Sequence, residues 1–169
     1  MNTYDLHRME RLSRRLQELR AWRNASEHPV YEWRLTVGGD THTVRLGAPW
    51  PVVATPVELA AVASVPPTYA SLPVELDLWL GGEGFVRLST GLESGLNPMH
   101  RTFRISDSAT GEERIEIYAE VSPKGMFGTH IPHPVIERAH LVVPETDVRA
   151  LERDLRWCST RAHSIVITT

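Results

Sequence analysis

Residues 72–105 read LPVELDLWLGGEGFVRLSTGLESGLNPMHRTFRI, and they carry the strongest indication of the fold. Over residues 74–80, apolar residues alternate with two acids and a tryptophan, which is the period-two pattern of a half-buried strand. Residues 81–84 (GGEG) contain three glycines in four positions and predict a turn. Apolar runs at residues 85–88 and 102–105 predict two more strands, joined by a polar loop. The stretch therefore predicts strand, turn, strand, loop, strand.

The same alternation recurs along most of the chain. Between residues 31 and 143 no helical pattern intervenes, which disfavours a parallel sheet with crossover helices. Roughly eight short strands separated by turn residues are typical of two packed antiparallel sheets. We therefore expect an all-β, jelly-roll-like sandwich of the kind seen in galactose-binding domains. The further predicted strands are residues 31–37, 41–46, 57–65, 114–121 and 135–143.

A helix is predicted at each end of the chain. Residues 4–23 place apolar side chains three and four positions apart, as on one face of an amphipathic helix. Residues 145–156 begin with acids, which favour a helix N-terminus, and residues 24–29 read as a break. The predicted organisation is a helix and linker (1–28), a β-sandwich (29–144), and a helix and tail (145–169). The apolar stripe of the first helix, which could pack on its own domain or on another domain or subunit, is Leu6, Met9, Leu12, Leu16, Leu19 and Trp22.

Composition and charge limit the classes of function. The chain has 169 residues, a formal net charge of -3 and one cysteine, Cys158. No basic block points to nucleic acid, no apolar run is long enough to span a membrane, and one cysteine cannot form an internal disulfide. The N-terminus is charged throughout, unlike a secretion signal. We expect a cytoplasmic protein without a nucleic-acid or membrane partner.

Residues that could carry chemistry are few. His130, His133 and His140 lie close in sequence, yet no cysteine pair and no HExxH motif supports a metal site. The GGEG turn lacks the Lys-Ser/Thr ending of a phosphate-binding loop, and no GxSxG elbow is present. Glu75 and Asp77 lie on one side of a strand, where we expect a solvated outer face. A small enzyme that uses the loop histidines remains an alternative.

Carbohydrate binding requires planar aromatics with polar groups beside them. Trp79 lies on the polar side of its strand near Glu83, and a loop with Asn97, His100 and Arg101 could fold over it. These five residues are candidates for the site of a free-standing carbohydrate-binding module or for a domain interface. In the alternative, Trp79 is covered by the N-terminal helix or by a neighbouring domain.

Several short motifs carry a resemblance to a known family. Residues 79–88 (WLGGEGFVRL) and 95–101 (GLNPMHR) resemble the "GGEG…GL(D/N)PxHR" segment of glycoside hydrolase family 38 α-mannosidases of the fungal vacuolar and bacterial type. That segment belongs to the β-sandwich domain preceding the catalytic barrel. The resemblance covers roughly residues 1–156, and further matching pieces follow in order: the opening helix, then residues 46–51 (LGAPWP), 124–129 (KGMFGT), 141–144 (LVVP) and 148–151 (VRAL).

The resemblance implies an accessory domain. In that family the zinc ligands and the aspartate nucleophile lie in the downstream barrel, and no segment here matches them, so no residue receives a catalytic or metal role. We expect no cofactor in this chain and no activity of the chain alone, with zinc confined to the missing barrel. Residues 157–163 (WCSTRAH) depart from the family's continuation, which predicts a truncated chain, a fragment or a shifted reading frame. The partners it implies are the barrel, further copies of this chain, and mannosides.

Overall fold

The computed structural model describes residues 3–52 and 56–155, and the chain divides into two compact units. One unit combines Met1–Ser26 with Pro144–Thr169, and the other is Glu27–Val143. The sequence-predicted tail at 157–169 lies outside the described residues. Within the described ranges, no helix is both long and apolar enough to cross a membrane.

Ten strands are the main secondary structure of the described residues, which confirms the prediction of a mainly β protein with a helix at each end. Helix α1 is Thr3–Ala21, and a second helix, α2, covers residues 146–155. The strands are β1 (Asn24–Pro29), β2 (Glu32–Val37), β3 (Asp40–Arg45), β4 (Val57–Ser64), β5 (Val74–Trp79), β6 (Glu83–Leu88), β7 (Glu93–Leu96), β8 (Thr102–Ser106), β9 (Arg114–Ser122) and β10 (Arg138–Pro144).

The strands form two antiparallel sheets. The four-stranded sheet has the order β1-β10-β5-β8, and the six-stranded sheet has the order β3-β2-β4-β9-β6-β7. The period-two pattern fixes which side chains face inward, because successive residues of a strand point to opposite faces. On β5 the inward residues Val74, Leu76 and Leu78 are fully buried. The inward side chains of both sheets form one apolar core, as in a β-sandwich.

Two buried tryptophans tie loops to this core. The indole of Trp33 donates to the Val30 carbonyl at 3.0 Å, and the indole of Trp50 donates to the Leu80 carbonyl at 2.8 Å. A buried indole N–H needs such an acceptor, because leaving it unpaired costs free energy. Trp50 thus anchors the corner after β3 to the end of β5.

Two strands appear where the sequence pattern predicts none. Residues 24–29 were predicted as a break and 93–96 as part of a loop, yet they form β1 and β7. Both are edge strands, one in each sheet. An edge strand is held by backbone pairing on one side and need not bury alternate side chains. β1 and β7 bury almost none, so their sequences lack the apolar alternation. The predicted strand at 135–143 also begins later, at Arg138, with Val135 forming an isolated bridge to Pro49.

The unit built from the two chain ends is held by arginines. Arg20 of α1 lies 3.3 Å from the carboxylate of Glu152 in α2, which is a buried charged residue. Arg149 donates to the Arg23 carbonyl at 3.0 Å and also to the side chain of Asn24. The first contact links α1 to α2, and the second links α2 to the residues that follow α1.

The apolar stripe of α1 is only partly covered. The stripe residues Leu12, Leu16 and Leu19 are half-buried, and Trp22 is exposed. The side chains of Leu6 and Met9, which belong to the predicted stripe, lie outside the described set.

Candidate functional site

The GGEG turn is a packing feature of the β5–β6 connection. A Cβ atom on Gly82 would lie 1.8 Å from the Ser122 carbonyl oxygen, and one on Gly84 would lie 2.0 Å from the Glu120 carbonyl oxygen. Both distances are far below van der Waals contact, so only glycine lets the turn lie against β9. Gly81 adds a φ of 91°, which disfavours other residues. The close approach of two backbone segments therefore explains why the GGEG turn is rich in glycine.

Trp79 and Arg101 form a stacked pair on the outer side of the four-stranded sheet. The Arg101 guanidinium carbon lies 5.5 Å from the centroid of the Trp79 ring, within cation–π range. The Arg101 Nε also donates to the Leu78 carbonyl at 3.3 Å, and the Leu78 N–H donates to the Arg101 carbonyl at 2.8 Å. The predicted folding of the loop toward Trp79 is thus seen for Arg101.

Asn97 organises the loop between β7 and β8. Its side-chain oxygen accepts the N–H groups of Met99 and His100, each at 2.9 Å. His100 in turn places Nε2 3.1 Å from the Ser94 hydroxyl and packs edge-on against Phe103, with ring centroids 5.4 Å apart. Asn97 and His100 therefore hold the turn in shape, and they do not join the Trp79–Arg101 pair in one cluster.

Glu83 and Asn97 lie instead on a second surface, a shallow depression of about 510 Å³. Its most exposed members are Met99 and Phe127, which are 80% and 98% exposed. Phe127 also has a φ of 61°, a left-handed conformation that is uncommon for an aromatic residue. We call this depression, lined by Glu83, Gly84, Gly95, Leu96, Asn97, Met99 and Phe127, the Phe127 surface.

The sequence analysis missed Met99 and Phe127 as members of the site. A usable signal was present for Phe127, because an aromatic residue in a loop with glycines on either side (KGMFGT) has no core-facing strand to occupy. For Met99 the pattern gave no such signal.

The outer face of the four-stranded sheet corrects another expectation. Glu75 and Asp77 were predicted to lie on a solvated face, but their side chains are only 14% and 17% exposed and are paired with arginines. Asp77 accepts from the Arg138 Nε at 2.8 Å, and Glu27 accepts from both terminal nitrogens of the same guanidinium at 2.8 and 2.7 Å. Arg104 lies 3.4 Å from Glu75.

The charges on this face shift two pKa values. Burial alone would lower the pKa of Arg138, but its bonds to Glu27 and Asp77 outweigh burial and raise it. Burial lowers the pKa of the neighbouring His140, and the positive charge of Arg138 adds to that effect. The arginine is thus held charged and the histidine is biased toward its neutral form.

Among the residues that the structure describes, no group of three or more His, Cys, Asp or Glu side chains is arranged to hold a metal ion. His130 is exposed and forms a backbone bridge with Lys124, while His140 lies on the outer face of the four-stranded sheet. We assign no metal role to these histidines.

The chain matches no protein-family model, and no curated protein is similar enough in sequence to count as a relative.

Proposed function

We propose that the chain is the non-catalytic N-terminal β-sandwich domain, complete or as a fragment, of a family 38 α-mannosidase. In this role it supports oligomer assembly and shapes the approach to an active site in a separate catalytic barrel. The proposal places the protein in the cytoplasm and gives no residue of this chain a catalytic or zinc-binding role. It rests on the motif resemblance together with one structural observation.

That observation is the convergence of three resembling segments on the Phe127 surface. Glu83 comes from the GGEG segment, Asn97 and Met99 come from the GLNPMHR segment, and Phe127 comes from the KGMFGT segment. These segments are separated along the chain and share one depression. Segments that contribute to a common surface are expected to carry a common role, here contact with a partner domain.

The chemistry of this surface suits a protein interface. Met99 and Phe127 present large apolar side chains to solvent, and burying either one against a partner would be favourable by about 1.5–3 kcal/mol. The left-handed backbone at Phe127 costs free energy, and such strain is often found at functional positions. This supports a functional role for the exposed ring. Aromatic anchors of this kind are typical centres of interfaces.

The path of the chain supports the finer description of the fold as jelly-roll-like. From β4 onward the chain passes repeatedly between the six-stranded and the four-stranded sheet, with β5, β8 and β10 in the smaller sheet and β6, β7 and β9 in the larger one. Repeated crossing between two antiparallel sheets is the connectivity expected of a jelly roll.

The direct test is capture of a catalytic barrel. A family 38 α-mannosidase barrel made without its own N-terminal domain is mixed with this chain, and the masses are measured by light scattering. We expect a complex, and we expect the double variant Met99→Ser, Phe127→Ser to lose it. Tyr31→Ser is the matched control, since Tyr31 is 64% exposed and lies away from this surface. A folded chain that binds none of these barrels and remains monomeric would contradict the proposal.

Carbohydrate binding at the Trp79–Arg101 pair is the second candidate. The observation in its favour is a half-buried indole with a guanidinium beside it, a pairing of ring and hydrogen-bond donor that suits a sugar. Isothermal titration with mannosides should then show saturable heat that Trp79→Ala abolishes. Absence of heat at millimolar mannoside would remove this candidate and leave the domain-interface proposal standing.

A further inference from the structure

The outer face of the six-stranded sheet contains another concave site. More polar side chains line it than line the Phe127 surface. It is a groove of about 680 Å³ that runs across β2, β4, β9 and β6. Strand register places four outward residues side by side: Arg34 is opposite Ala60, Ala60 is opposite Tyr118, and Tyr118 is opposite Arg87. The row is therefore arginine, alanine, tyrosine, arginine.

The alanine in this row creates a slot. Neighbouring strands lie about 4.8 Å apart, so Arg34 and Tyr118, two strands apart, stand on backbones separated by about 9–10 Å. Only the methyl group of Ala60 lies between them. A flat ring needs about 3.5–4 Å to the atoms on each side, so the slot accommodates one ring of a ligand.

Tyr118 is oriented as one wall of the slot. The Arg87 guanidinium lies over its ring, 5.8 Å from the centroid, and is itself fixed by Glu93 at 2.6 Å. Arg87 comes from the strand on the far side of Tyr118, so it supports the ring from behind. Ala60 and Tyr118 both line the groove, so the groove lies on the Ala60 side of the ring. The Tyr118 hydroxyl donates to Glu120 at 3.3 Å and also interacts with Glu58 of β4, which further limits motion of the ring.

The slot also offers a hydrogen-bond donor and an acceptor that other side chains do not use. Arg34 lines one wall and Glu116 lines the end beside Val62, and neither side chain has an ion pair or hydrogen bond to another described residue. The guanidinium can donate to hydroxyl oxygens, and the carboxylate can accept from hydroxyl hydrogens. Val62, 43% exposed, adds an apolar surface at the same end.

The charges select the class of ligand. The groove lining carries two arginines, Arg34 and Arg87, and two carboxylates, Glu32 and Glu116. These charges balance, so the lining has no net positive charge that would favour an anionic ligand such as a nucleotide phosphate. A neutral ligand with one apolar ring face and many hydroxyls fits the aromatic wall, the donor and the acceptor together.

We propose that this slot binds one pyranose ring of a neutral oligosaccharide, stacked on Tyr118 and hydrogen-bonded by Arg34 and Glu116. The site is separate from the Trp79–Arg101 pair and does not rest on the α-mannosidase proposal. Exposed single-ring sites of this kind bind weakly, in the millimolar range, unless several rings contribute.

The test is a titration of the isotope-labelled chain of residues 1–169, followed by amide chemical shifts. The probes are neutral tri- to hexasaccharides of mannose, glucose, galactose and xylose, with adenosine as a flat, neutral ligand that is not a sugar. We expect saturable shifts around Arg34, Ala60 and Tyr118 with at least one oligosaccharide and none with adenosine.

Four variants locate the site. Tyr118→Ala should weaken binding about tenfold, since the stacking surface is lost. Ala60→Leu should also weaken it by filling the slot while leaving Tyr118 in place. Tyr118→Phe keeps the ring and should keep binding, and Tyr31→Ala, outside the groove, should bind as the parent does. Retained dispersion of the amide spectrum confirms that each variant is folded. If Tyr118→Ala is unfolded, the Ala60→Leu variant provides the test.

Three results would overturn the proposal. The first is the absence of shifts with every oligosaccharide at millimolar concentration. The second is binding that persists in a folded Ala60→Leu variant. The third is binding of adenosine in preference to all sugars. Loss of sugar binding in Trp79→Ala together with unchanged binding in Ala60→Leu would instead support the second candidate function.

Discussion

The two outward faces of the sandwich follow the same alternating pattern and have opposite characters. On the four-stranded sheet, Asp77 and Arg138 are largely covered and paired with each other, with 17% and 23% of their side chains exposed. On the six-stranded sheet, the pair of Glu32 and Arg45 is 66% and 75% exposed, and Arg34 has no ion pair to any described residue. On the four-stranded sheet the charged side chains pair with one another, whereas on the six-stranded sheet some polar side chains remain available to a ligand.

This difference shows why alternation alone is a weak guide to function. A period-two pattern tells which residues leave the core, but it says nothing of what surrounds them outside. Carboxylates in a covered position need charged partners, whereas those on an open face can interact with water or with a ligand. The four predictions below test this contrast, beginning with the largest expected effect.

The connection between the two sheets should be the most sensitive position. Gly82→Ala places a methyl group 1.8 Å from the Ser122 carbonyl oxygen, so the β5–β6 turn or β9 must shift. We expect a loss of about 3 kcal/mol or more in the free energy of unfolding, measured in urea. Gly95→Ala is the matched control, with its nearest neighbouring atom at 4.0 Å, and should change stability by less than about 0.5 kcal/mol. Equal effects of the two substitutions would show that the turn does not hold the sheets as described.

Removing one arginine from an ion pair on each face should show the difference between the faces as a difference in the free energy of unfolding. Arg138→Ala leaves the carboxylates of Glu27 and Asp77 without their shared partner in a partly covered position, and should cost about 2 kcal/mol. Arg45→Ala removes an exposed pair with Glu32 and should cost about 0.5 kcal/mol or less. If both variants unfold at the same urea concentration, the two faces do not differ in the way proposed.

The covered face should also respond to mild acid. Burial, reinforced by Arg138, lowers the pKa of His140 below its ordinary value of 6.5. The unfolded chain therefore takes up this proton at a higher pH than the folded chain, so stability is full above the unfolded pKa and falls as pH drops through it toward the folded pKa. We expect His140→Gln to lose less stability than the parent between about pH 7 and pH 5. If the free energy of unfolding falls equally with pH in the parent and in His140→Gln, His140 is not the cause of the acid sensitivity.

The open face should respond at the opposite end of the pH scale, with a smaller effect. Partial burial, followed by the nearby carboxylates of Glu58 and Glu120, raises the pKa of Tyr118 above its ordinary value of 10.0. The unfolded chain then releases this proton first, so stability is lost as pH rises above about 10. Tyr118→Phe should flatten that decline in alkaline urea unfolding, while Tyr31→Phe serves as the exposed control. An unchanged slope in Tyr118→Phe would show that the ring is not held as described.

Most strands and both helices could be predicted from the sequence, while two strands and most of the site could not. The strand at Val74–Trp79 is visible because its alternation reflects burial of one face by its own residues. The edge strands Asn24–Pro29 and Glu93–Leu96 carry no such pattern, since backbone pairing alone defines them. Of the five candidate residues, Trp79 and Arg101 contact each other, whereas Glu83 and Asn97 lie on the Phe127 surface and His100 bonds to Ser94.

Local periodicity was enough to predict the antiparallel β class, the terminal helices and the inward face of most strands. The close packing at Gly82 and Gly84, the covered pairs of Glu75 and Asp77, and the position of Ala60 between Arg34 and Tyr118 emerge only when the chain is folded. Each of these facts depends on which strands are neighbours and in what register they pair. Register between distant strands is set by the packing of the whole core, and no short window of the chain contains that information.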